Sequence, residues 1–208
     1  MTEGQQEGAR RPGLGQAVSL VAGLVRGVSD DDLARPTPCP GTSVAAMLDH
    51  LAGLTMAFTA AARHEPVPGG DRPPEPDASR LDPAFRDSIP AALTALADAW
   101  ADPAAWTGTT KVGGVDLPRQ VAGLVVLDEV VVHGWDLAAA LDRPYEPPSD
   151  AVEGALSFVG PTVTGSPGGT PGLFGPPVAV PEDAPPLDRL LGLTGRDPHW
   201  RPGAMDPG

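Results

Sequence analysis

The chain has 208 residues, with 27 acidic against 14 basic side chains and a formal net charge of -13 at pH 7. That length suits one ordinary domain with a core that needs no disulfide, and the single cysteine, Cys39, excludes both an internal disulfide and a cysteine-rich zinc site. So acidic a surface repels phosphate backbones and anionic lipid, which argues against nucleic-acid and membrane partners.

The first eleven residues are polar and carry no apolar core of a secretory signal. No stretch of sequence approaches the uninterrupted apolar length of a bilayer span. With one cysteine, these features place the expected compartment in the reducing cytoplasm. Residues 1–13 are expected to form a tail without fixed structure, 14–160 a helical bundle, and 161–208 a Gly/Pro-rich appendage packed on it.

In chain order, Val18, Leu20, Val21, Leu24 and Val25 recur at helical spacing and predict a first helix over 16–28. The run Arg35-Pro36-Thr37-Pro38-Cys39-Pro40-Gly41 cannot be helical, because its prolines lack donors and clash with the preceding turn. Thr42 and Ser43 then stand as candidate N-caps for a second helix reaching about His64, with Val44, Met47, Leu48, Leu51, Leu54 and Phe58 on its apolar face. Residues 66–76 read as a loop. A third helix starts near Asp82-Pro83 and runs through Phe85, Ile89, Leu93 and Leu96 to Trp100, with a kink or broken start expected at Pro90. Residues 106–112 and 115–117 flank Gly113-Gly114 as a hairpin.

Pro118 opens a valine-rich segment closed by Arg143-Pro144. A buried strand is its rival reading, but more than about twenty residues without a turn signal suit a helix and exceed any usual strand. A shorter helix is expected over 149–159, a loop over 161–177, a short strand over 178–180 and a last helix over 187–193. The fold class is therefore mainly all-α: four principal helices, a small hairpin and a C-terminal appendage.

The 118–141 helix is apolar nearly all round, so it is central, yet it carries Asp128, Glu129, His133 and Asp136. Buried carboxylates and imidazoles are unfavourable unless paired or bound to a metal. Glu129 and His133 are four residues apart, about 40° around the axis and roughly 6 Å along it, so both can reach one point beside the helix. Asp136, three residues on, suits either a fourth ligand or an outer acceptor that orients an imidazole. His50, on the flank of the second helix's apolar stripe, offers a partner from across the bundle. Three protein donors leave a position open, the catalytic rather than the closed form of a metal site. The mixed nitrogen and oxygen set suits Zn2+ first, with Ni2+, Fe2+ or Mn2+ as alternatives.

Other residues are weighed against plainer roles. Cys39, in its proline loop, reads as a packed thiol rather than a nucleophile. His64 reads as a helix-end residue and His199 as an exposed tail residue. Trp135 sits beside the ligand pair, as core or as a pocket wall, and Arg196 reads as a structural salt bridge, with the alternative of holding a substrate carboxylate if the tail folds over the site.

The stretches Thr37-Pro38-Cys39-Pro40-Gly41, Leu48-Asp49-His50-Leu51 and Asp128-Glu129-Val130-Val131-Val132-His133-Gly134-Trp135-Asp136-Leu137 resemble the mycothiol-dependent maleylpyruvate isomerase-like branch of the DinB-like superfamily. The ending Leu190-Leu191-Gly192-Leu193-Thr194-Gly195-Arg196-Asp197-Pro198 is similar to one subgroup of that branch. The resemblance implies a DinB-like four-helix bundle with a long loop between its second and third helices. It also implies one divalent metal, usually zinc, on His50, Glu129 and His133, and mycothiol as a cofactor. The function expected is a thiol-dependent transferase or isomerase acting on a small electrophile. The alternative is a non-catalytic, metal-stabilised module that binds a small molecule or a protein, and a homodimer through the outer helices is a further option.

Overall fold

The first helix, α1 (Leu14–Arg26), buries Ala17, Val18, Val21 and Val25 along one stripe and ends at Gly27. The computed structural model describes residues 13–66, 75–164, 168–170 and 172–203. The expected tail at 1–13 and loop at 66–76 lie largely outside these described residues. α2 (Val44–Ala62), α3 (Phe85–Ala101) and α4 (Arg119–Ala140) complete a four-helix bundle, in which α1 packs on α3 and α4 while α2 packs on the same two helices. α5 (Ser149–Val163) lies against α4, and α6 (Pro186–Leu193) lies against α5.

α2 begins where it does because Ser43, in extended backbone, accepts a hydrogen bond from Ala46 N–H at 3.3 Å. It ends as His64 adopts φ 61°, a left-handed conformation that stops the helix. Among the described residues α2 would pass for a membrane span by length and mean hydropathy, although Asp49 and His50 interrupt its apolar run. Its apolar residues are nevertheless core: Leu48 and Leu51 are fully buried against the neighbouring helices.

Of the kink or broken start expected at Pro90, the broken start does not occur. The helix runs unbroken from Phe85, with Ile89, Pro90, Leu93 and Leu96 all buried. Burial on both sides of the proline outweighs its one missing donor. Pro161 behaves the same way in α5, which was expected to stop at 159 but continues to Val163 because Val159 and Val163 are both buried. The hairpin is shorter than predicted. β1 (Thr109–Val112) pairs antiparallel with β2 (Val115–Pro118), and Gly113 and Gly114 both take positive φ, as a two-residue hairpin turn requires. Residues 103–106 form a 3-10 turn instead of strand, capped by Asp102 through Ala104 N–H. The expected strand at 178–180 is absent; the segment is irregular and Val178 N–H donates to Gly192 O.

One close approach sets the position of α4. A Cβ on Gly134 would collide with the Tyr145 hydroxyl and with Val21, so a residue without a side chain lets α1 and the 144–146 segment close on α4.

Candidate metal centre

α4 is the central helix, and its polar residues divide by face. Asp128 and Asp136 are buried, at 4% and 0% exposure. Glu129 and His133 keep a partly open edge, with side chains 23% and 12% exposed. Across the bundle α2 presents His50, one residue before the fully buried Leu51, with its side chain 25% exposed.

One donor atom from each of these three residues lies within 4.8 Å of the other two. Glu129 Oε2 is 3.0 Å from His133 Nε2 and 3.5 Å from His50 Nε2. The two imidazoles meet edge to face, their ring centroids 4.8 Å apart and their planes at 87°. Short as these distances are, Glu129 Oε2 is buried and makes no hydrogen bond. The three donor atoms thus converge while Glu129 Oε2 is left without a hydrogen bond. A buried carboxylate oxygen without a partner is unfavourable, and a cation where they converge is the partner this donor set fits.

Asp136 stands on the far side of His133. Its Oδ2 is 2.9 Å from His133 Nδ1, and its two oxygens accept from Arg196 Nη2 at 3.0 Å and Nε at 3.3 Å. Both oxygens of Asp136 are engaged by protein, and neither belongs to the convergent trio. In the neutral imidazole that a metal would require, a proton on the nitrogen beside Asp136 would leave Nε2 as the lone-pair atom on the Glu129 side.

The charges are strongly coupled. Burial opposes ionisation of His133, but its hydrogen bond with Asp136 and the negative charges of Glu129 and Asp136 override it and push the imidazole up to about 10. Burial likewise raises the Glu129 carboxyl, yet the two imidazoles hold it well below the usual carboxylate range. Asp136 is lowered too, against burial, chiefly by the Arg196 guanidinium. Asp128 is raised well above its ordinary value, chiefly by burial and by the Glu129 charge, which outweigh the opposing pull of His133 and Arg196, and its Oδ1 has no hydrogen bond.

A family model for the mycothiol maleylpyruvate isomerase N-terminal domain matches residues 14–138. The chain belongs to that family. The chain is also 30% identical over 190 residues to uncharacterized proteins of Mycobacterium tuberculosis strains CDC 1551 / Oshkosh and ATCC 25618 / H37Rv, a match covering 87% of this chain and 94% of theirs. In fold it is similar to the crystal structure of the mycothiol-dependent maleylpyruvate isomerase, with a TM-score of 0.53 and 16% identity, over 70% of this chain and 66% of that one. A histidine-to-alanine mutant of the isomerase gives a TM-score of 0.55 at 17% identity, with the same coverage. The chain thus spans just under two thirds of the isomerase's length.

Of the residues singled out from sequence, the family domain brings His50, Glu129, His133 and Asp136 into one cluster. Arg196 is near it but turned inward, 8% exposed, with its guanidinium committed to Asp136 and to Thr194 O at 2.8 Å. Trp135 lies elsewhere. With Arg143, Tyr145 and Arg201 it lines a cleft of about 310 Å³ that includes none of the trio. A larger cleft of about 490 Å³ between α2 and α3 also omits them, though Asp49, next to His50, lines it. The chemistry follows the convergent donors rather than the larger hollow. Cys39 is half-buried against the core, and His199 is exposed. Sequence reasoning gave Arg196 a structural salt bridge but missed its partner, Asp136. The available signal was a buried Asp three residues beyond a candidate ligand, which needs a cation and has none nearby in the chain.

Proposed function

We propose that His50, Glu129 and His133 hold one divalent cation, zinc in the first instance, and that the chain is a thiol-dependent transferase or isomerase of the mycothiol type acting on a small electrophile. The observation that carries this reading is Glu129 Oε2, buried between two imidazole nitrogens and bonded to neither. The family's description supports the choice of thiol.

The protein's own groups divide the work. Glu129 brings the negative charge that partly offsets a dication, and the two imidazoles bring neutral donors from different helices. Asp136 holds His133 by Nδ1, so that Nε2 is fixed in direction before anything binds. His50 has the most exposed side chain of the three, which puts the approach for small molecules on its side. A cation at the centre would supply Lewis acidity, lowering the pKa of a thiol at its open position and favouring the nucleophilic thiolate near neutral pH.

The test is metal content by mass spectrometry on untagged protein, comparing wild type with His133→Ala. The expected result is about one divalent ion per chain in the wild type and none in the variant. A wild type without metal, even after reloading, would overturn the reading. Loaded protein is then offered a low-molecular-weight thiol and a panel of electrophiles. Metal-dependent consumption of both marks the enzyme; binding of the thiol without turnover marks a non-catalytic binding module.

A further inference from the structure

Arg196 reaches the cluster from a part of the chain that the family domain, residues 14–138, does not include. Its direction is set by how α6 ends. Gly195 takes φ +82°, Gly195 N–H donates to Gly192 O at 3.1 Å, and Arg196 N–H donates to Leu191 O at 2.8 Å. Those two bonds form a Schellman motif, the glycine-terminated helix end in which the chain reverses at a fixed angle. Leu190 and Leu191, both fully buried, seat the helix that bears it. The Thr194-Gly195-Arg196 triplet therefore projects the guanidinium inward rather than leaving it loose on a tail.

There Arg196 meets Asp136 with two donors, Nε on Oδ1 at 3.3 Å and Nη2 on Oδ2 at 3.0 Å, while Nη1 is tied to Thr194 O at 2.8 Å. The fork fixes the plane of the carboxylate as well as its position. Asp136 Oδ2 in turn meets His133 Nδ1 at 2.9 Å. Taken away, Arg196 would leave Asp136 with one of its three hydrogen bonds, free to rotate away from the imidazole.

We propose that Arg196 is a positioning residue of the metal centre: through Asp136 it holds His133 with Nε2 aimed at the point shared with Glu129 and His50, so the C-terminal segment completes a site whose ligands all lie in the bundle. This rests on the trio being a metal centre, and it gives Arg196 a role other than gripping a substrate carboxylate, since all its engaged nitrogens face protein acceptors.

The experiment uses the full chain and Co2+ as the probe. Affinity is measured by competition with a chromophoric chelator, coordination by the visible absorption of the bound ion, and the His133 ring N–H by its hyperfine-shifted proton signal and its exchange with water. Two variants are needed. Arg196→Lys keeps the charge but loses the fork. The double variant Asp136→Leu/Arg196→Met removes both members of a buried pair together, a change that folds tolerate far better than removing one. The expected result is a slowly exchanging ring proton in the wild type, Co2+ affinity lowered about 10–100-fold in the double variant with altered absorption and no protected ring proton, and an intermediate loss in Arg196→Lys. Wild-type affinity, absorption and exchange in Arg196→Lys and in a folded double variant would overturn the proposal and leave the metal centre standing. If the double variant fails to fold, Arg196→Lys decides by the same readouts. No Co2+ uptake by the wild type would overturn the centre itself, and this proposal with it.

Discussion

The α1–α3 face and the inner face of α4 are both buried, but they are built from different materials. Between α1 and α3 the buried side chains are Val18, Val21, Val25, Phe85, Ile89, Leu93, Leu96 and their neighbours. A buried polar group near the end of α3, Trp100 Nε1–H, is satisfied by Phe58 O on α2 at 3.1 Å. α4 sits just as deep, yet it carries Asp128 and Asp136 wholly inside and Glu129 and His133 at the margin. Apolar packing needs only volume and shape. A polar seam needs every group answered, because each unanswered one carries its full desolvation penalty. On α4 the groups around Asp136 are answered by protein, while Glu129 Oε2 is not. Asp128 Oδ1 is unanswered as well, but burial pushes its carboxyl up, whereas Glu129 is held below the usual range between two imidazoles. The shortfall at Glu129 separates a seam that stabilises the fold from one suited to binding something.

A pair of single substitutions breaks the comparison most sharply. Asp136→Ala removes the counter-charge of a buried guanidinium and is expected to cost the metal-free protein about 3–5 kcal/mol in urea unfolding. Leu93→Ala, in the apolar half, is expected to cost about 2–5 kcal/mol by opening a cavity. Similar in stability, the two should part company in metal binding. Leu93→Ala keeps the stoichiometry of the wild type, whereas Asp136→Ala weakens the ion's hold. Equal metal retention in both would mean that Asp136 is merely structural.

The pH dependence comes next in size, and its sign should reverse with metal. In the metal-free protein His133 is raised from 6.5 to about 10, so its contribution to stability is whole below about 6.5 and is lost as pH climbs through 10. Glu129 is depressed, so its contribution is present above its ordinary 4.5 and is lost in acid. A metal-bound imidazole must instead be unprotonated, and binding strengthens as protons leave. Melting temperatures taken from pH 6 to 9 should therefore fall without metal and rise, relative to that curve, with zinc present. A metal-free curve that climbs over this range would contradict the ion pairs described for His133.

Much of this was legible in the residues themselves. The four bundle helices follow from apolar spacing, and Glu129 and His133 follow from polar groups placed where a buried helix has no room for them. His50 was legible only as a histidine on the flank of a stripe; what brings it to α4 is packing, which spacing does not encode. Pro90 and Pro161 misled, because local rules about proline weigh one lost donor and not the buried residues on either side that hold the helix together. The Arg196–Asp136 pair was illegible for a different reason. It spans 60 residues, and its geometry is fixed by a helix end that is itself docked on α5.

The smallest effect concerns how α2, which carries His50, is started. Sequence left Thr42 and Ser43 as equal candidates for its cap. The structure separates them: Ser43 Oγ accepts from Ala46 N–H at 3.3 Å, whereas Thr42 contributes its carbonyl, which accepts from Thr37 N–H at 3.0 Å and from Thr37 Oγ1 at 2.9 Å. Ser43→Ala should then cost about 1 kcal/mol, the usual worth of an N-cap, and Thr42→Ala less than about 0.5 kcal/mol, since backbone bonds survive the change. Neither should alter metal stoichiometry, because His50 lies nearly two turns further along and is held by the packing of Leu48 and Leu51 rather than by the cap. If Ser43→Ala did lower metal content, the position of His50 would depend on the first turn of α2. The centre would then draw on local helix stability as well as on the bundle, and the contrast between packed and polar halves would have to include how each helix begins.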